Sequence, residues 1–113
     1  MTRKEALAEL ITKVEAGEAT YPHGWTFYDV FPHDKNFARV QDSYNGSLDA
    51  AKELHEAVLP GWRYMITHGP SGDTVVVAER LGVDVDTIGV ALDNPARAWL
   101  LAILKALHSM EKD

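Results

Sequence analysis

An α+β fold, with a small antiparallel sheet packed among N-terminal, middle and C-terminal helices, is what this sequence predicts. Three stretches carry the prediction. Ser47 to Pro60 reads as a short capped helix, Trp62 to Arg80 as two strands joined by a turn, and Asn94 to Leu107 as a closing helix. At 113 residues the chain has room for one hydrophobic core and not two, so residues 1–113 are read as a single domain.

The first helix is signalled at its start by Thr2 and Glu5, whose spacing allows each side chain to serve the other's free amide. Leu7, Leu10, Ile11 and Val14 then recur at helical spacing and form one apolar stripe, and Gly17 supplies a helix stop. From Glu18 to Gly46 the periodicity lapses. This segment holds seven of the ten aromatic residues and is punctuated by Pro22, Gly24, Pro32 and Gly46. Trp25 to Val30 alternates as a strand would, and a connection this long is expected to contain a strand or two.

Ser47 is a good N-cap, and Asp49 places a carboxylate where the helix dipole favours it. Leu48, Ala51, Leu54 and Val58 are the expected buried face, and Pro60-Gly61 ends the helix. Trp62 to His68 alternates, with Trp62, Tyr64, Ile66 and His68 on one face. Gly69 to Asp73 reads as a five-residue turn, which leaves the register open, and valine-rich Thr74 to Arg80 as the returning strand. Leu81 to Leu92 admits two readings, a third strand or an acidic loop, because Val83, Val85 and Thr87 alternate with Asp84 and Asp86. In the last helix Asn94 caps and Pro95 takes the first position. Trp99, Leu100, Ile103, Leu104 and Leu107 give it the broad apolar arc of a central core helix.

Composition narrows the function. Apolar residues are 46% and charged residues 25% of the chain, as in an ordinary folded domain. With no cysteine, disulfides, thiolate zinc sites and cysteine nucleophiles are excluded. The N-terminus alternates charged and apolar residues, unlike a signal peptide, and the longest apolar run, Ala98 to Leu104, falls far short of the ~20 residues of a membrane span. A cytoplasmic protein without membrane partners is the expectation. A net charge of −6, with its 11 basic residues scattered, argues against nucleic acid as a partner.

Chemistry is less legible. The five histidines, His23, His33, His55, His68 and His108, include no pair at a metal-binding helical spacing, and surface or capping roles account for them better. None of the serines sits in a nucleophile elbow, and there is no phosphate-binding glycine loop. Neither a metal nor a cofactor is called for, and the chain is read as a non-enzyme. The aromatic segment has two readings. Its rings either complete the core of a small domain or, with Arg and Lys nearby, stack a nucleobase and hold phosphate. Under the second reading Trp25, Tyr28, Arg39, Tyr44, Arg63 and Arg80 are the ligand-binding candidates.

Three segments resemble the phage αβα-sandwich domain family, small proteins of bacteriophages and prophages. They are the opening LAELITKVEAGEA, the middle YNGSLDAAKELHEAVLPGWRYMI and the closing NPARAWLLAILKAL. Tyr21 to Tyr44 and Gly82 to Asp93 depart from the family's pattern. The resemblance implies the αβα-sandwich fold, a phage origin and a place in the host cytoplasm, and it brings no catalytic residues. It implies no established activity. A small, incompletely covered sheet leads to the expectation of a homo-oligomer. Small phage accessory proteins are, as a class, often counter-defence factors. With the aromatic and arginine candidates, the expectation is an accessory protein that counters host defence by sequestering a small nucleotide-derived signal. The alternatives are an acidic inhibitor of a host defence or DNA-binding protein, and a phage structural or regulatory scaffold.

Overall fold

Thr2 and Glu5 close the first helix as their spacing predicts. The Thr2 amide donates to Glu5 Oε1 at 3.3 Å, and the Glu5 amide donates to Thr2 Oγ1 at 3.1 Å. The Thr2 hydroxyl also donates to the carboxylate, at 3.0 Å. These hydrogen bonds hold the Glu5 carboxyl below its ordinary pKa, so the cap is complete with the carboxylate ionised and is lost as pH falls through the lowered value.

The computed structural model describes residues 2–16, 34–69, 72–78, 88–92 and 94–110. In chain order these form α1 (Arg3–Ala16), α2 (Asp34–Tyr44), α3 (Leu48–Val58), β1 (Arg63–Gly69), β2 (Gly72–Ala78), β3 (Ile88–Leu92) and α4 (Pro95–Met110). The architecture is α+β, with helices packed around a small antiparallel sheet of order β1-β2-β3. No described helix is long and apolar enough to cross a membrane.

Helix α1 buries Ala6, Leu7, Leu10 and Val14 against α4, with Ile11 partly covered. Helix α2 corrects the expectation that its stretch holds only strands and loop. Between Pro32 and Gly46 no glycine or proline interrupts it, and Val40, Ser43 and Tyr44 fall at i, i+3 and i+4 and are buried. The expected strand at Trp25 to Val30 lies outside the described residues. A Schellman motif ends α2: the Ser47 amide reaches the Asp42 carbonyl at 2.9 Å and the Gly46 amide the Ser43 carbonyl at 3.1 Å. Gly46 makes this possible with φ at +111°, where a side chain would be strained. Ser47 then caps α3, its hydroxyl accepting from the Ala50 amide at 3.1 Å.

Burial on α3 differs from the expected face. Ala50, Ala51, Leu54 and His55 are buried and Val58 packs beside them, whereas Leu48, in the first turn, is 42% exposed. Strands β1 and β2 pair from Arg63↔Ala78 to Gly69↔Gly72. The connection is therefore two residues between paired glycines, rather than the expected five-residue turn. The returning strand covers Gly72–Ala78, starting two residues before the expected Thr74, and Glu79 and Arg80 lie outside the described residues. Strand β3 pairs with β2 from Asp73↔Leu92 to Val77↔Ile88, so the third-strand reading holds for the end of Leu81–Leu92. Val83 to Thr87 lie outside the described residues.

Asn94 caps α4 through Oδ1, which accepts from the Ala96 and Arg97 amides, both at 3.1 Å. Every residue from Ala98 to Leu104 is buried, as expected of the central helix. It packs on α1, α2 and α3, and its main sheet contacts are with β2 and β3. Val75 and Val77 face it and are fully buried. Strand β1 overhangs: Tyr64 and Ile66, register partners of Val77 and Val75, share that face and yet remain 41% and 39% exposed.

Candidate functional site on strand β1

An aromatic cluster anchored by a buried imidazole fixes where β1 leaves the helices. His55 on α3 is held at both ring nitrogens. Nε2 donates to the Trp62 carbonyl at 3.0 Å, while Nδ1 accepts from the Trp99 indole N–H at 3.3 Å. Those partners specify the neutral Nε2–H tautomer. The Tyr64 ring lies 4.4 Å from Trp99 and meets His55 edge-on at 5.1 Å. The start of β1 is thus tied to α3 through Trp62 and to α4 through Tyr64.

Alternation along the strand then sends Arg63, Met65 and Thr67 to the opposite, outer face. The register sets Arg63 beside Ala78 and Met65 beside Val76. With Tyr64 these residues line an open cleft of about 310 Å³. Its walls, among the described residues, are mainly apolar, and Arg63 is their one permanent cation. Among the described residues Arg63 forms no ion pair, and Met65 is 60% exposed. The cleft can offer an apolar floor to a flat or hydrophobic group and a guanidinium to an anion.

Of the sequence-derived candidates, Arg63 stands in this cleft. Arg39 is engaged elsewhere: Nη1 donates to Asn36 Oδ1 at 3.0 Å and Nε to Glu53 Oε2 at 3.4 Å, tying α2 to α3. Tyr44 is a correction. It is fully buried, and the Arg97 guanidinium covers its ring at 3.9 Å from the centroid. Arg97 Nε also donates to the Tyr44 carbonyl at 3.1 Å. The ring face that would stack a base is therefore occupied from within. Trp25, Tyr28 and Arg80 lie outside the described residues.

Sequence reasoning misses Met65, Val76 and Ala78; for Val76 and Ala78 the available signal is their alternation with buried Val75 and Val77. It also placed His55 among surface histidines, whereas it is 1% exposed and next to Leu54 on the buried side of α3. No cluster of three metal-ligating side chains occurs among the described residues. Comparison with protein-family models, curated proteins and solved structures gives no significant match.

Proposed function

We propose that this protein works by binding rather than by chemistry, and sequesters a small nucleotide-derived anion in the β1 cleft. The observation that carries the reading is Arg63, a cation without an ion-pair partner among the described residues, at an apolar cleft of about 310 Å³. That volume is at the lower end of small-molecule sites, about 300–1,000 Å³. It suits a base-sized group lying on Met65, Val76 and Ala78 with its phosphate against the guanidinium. The Met65 thioether is a polarizable surface for an aromatic ring, and arginine to phosphate is a charge-assisted, bidentate pairing. Set in the phage αβα-sandwich family that the sequence resembles, such binding is counter-defence: a nucleotide-derived immune signal is withheld from its host receptor.

Native mass spectrometry with a panel of cyclic and linear nucleotides tests this. An unmodified nucleotide retained at fixed stoichiometry is expected, with Arg63→Ala weakening retention by about tenfold or more, the worth of one hydrogen-bonded charge. Retention unchanged in Arg63→Ala would remove the cleft from the proposal, and a converted nucleotide would overturn the non-enzymatic reading. An unliganded protein across the whole panel would favour the acidic inhibitor of a host protein instead.

A further inference from the structure

We infer that strand β1 is the dimerisation edge of this protein, pairing antiparallel with β1 of a second copy about a two-fold axis at Met65. The sheet order leaves β1 with β2 on one side only, so the backbone groups along its other side lack a strand partner among the described residues. Folded proteins blunt such edges with proline, lysine, inward-pointing charges or bulges. None of these devices is present between Arg63 and Gly69: the register runs unbroken and the strand's one permanent charge is at its first residue. Every side chain from Arg63 to Thr67 is exposed, and Tyr64, Met65 and Ile66 are three consecutive large apolar groups.

The chemistry of the edge selects a second copy as its occupant. With the axis at Met65, Met65 faces Met65 of the second copy, Tyr64 faces its Ile66 and Arg63 faces its Thr67. No like charges are opposed, and an aromatic ring meets a β-branched side chain, a favourable cross-strand pair. A parallel, in-register pairing would instead bring the two Arg63 side chains alongside each other. The antiparallel pairing also answers the exposure of Tyr64 and Ile66. Both lie on the helix side of an overhanging strand, and each would be covered there by its counterpart in the second copy. On the outer face the two clefts would meet at the paired methionines. One apolar floor would then carry an arginine toward each end, the two Cα atoms about 14 Å apart from the strand rise.

A seven-residue edge is smaller than the ~800 Å² per partner of a standard stable interface, so the dimer is expected to dissociate on dilution. Sedimentation velocity without nucleotide, from micromolar to sub-millimolar concentration, is the test. The wild-type chain should shift from monomer to dimer, whereas Met65→Lys, at an exposed position, should stay monomeric with an unchanged melting curve. Because the chain has no cysteine, single replacements then map the register. Met65→Cys should form a disulfide-linked dimer under copper-phenanthroline oxidation, and Thr67→Cys, far from the axis, should not. A monomer at every concentration, a dimer that survives Met65→Lys, or equal crosslinking at both positions would each overturn the inference. None of these outcomes depends on whether the Arg63 cleft holds a nucleotide.

Discussion

Trp99→Ala is expected to lower the stability of the fold by about 3–5 kcal/mol, the range for deleting a buried aromatic side chain. Trp99 is 2% exposed at the point where α3, β1 and α4 meet. The substitution opens a cavity beside Tyr64 and leaves His55 Nδ1 without its donor. Against a total of about 5–15 kcal/mol for a domain, that is a fifth of the stability or more. Urea unfolding followed by circular dichroism measures the loss directly. Trp99→Phe separates packing from hydrogen bonding: it keeps a ring and removes the N–H, so the smaller cost of an unsatisfied buried acceptor, about 1–3 kcal/mol, is expected. A loss under about 1 kcal/mol for Trp99→Ala would mean that the cluster does not anchor β1.

Tyr44→Ala should be nearly as damaging, at about 3–5 kcal/mol, and for a reason that bears on function. Tyr44 has no exposed surface, and its ring is the platform on which the Arg97 side chain rests. A cation over an aromatic face contributes about 0.5–2 kcal/mol, part of which is lost with the ring. The expected result is a lowered melting temperature with nucleotide affinity per folded molecule unchanged. The opposite pattern, a stable protein that no longer binds, would return Tyr44 to the ligand site and displace the cleft on β1.

The contrast between Tyr44 and Arg63 shows where sequence reasoning stops. Both were candidates for the same chemistry. Arg63 opens a strand whose outer face is visible in the alternation of apolar residues, so its exposure follows from local pattern. Tyr44 ends a helix that the sequence reading did not see, and its burial depends on Arg97, more than fifty residues away. Local signals were read well because their geometry is local: the Thr2–Glu5 box, the Ser47 and Asn94 caps and the Pro95 start are all present. Helix α2 is hidden in the sequence because it lies within a stretch from Glu18 to Gly46 that is rich in aromatic residues and punctuated by proline and glycine. Gly69 and Gly72 read as turn residues in the sequence, since glycine is a poor strand former, and cross-strand pairing overrides that preference. The role of His55 was not legible at all. A histidine in an amphipathic helix can face either way, and only the positions of Trp62 and Trp99 decide it.

His55 has a kinetic consequence for its neighbour. Its imidazole joins three elements through two nitrogens, so the indole proton of Trp99 is enclosed by all of them at once. Exchange of that proton with solvent deuterium is therefore expected to wait until α3, β1 and α4 part, which makes the Trp99 indole a built-in clock for the opening of that junction.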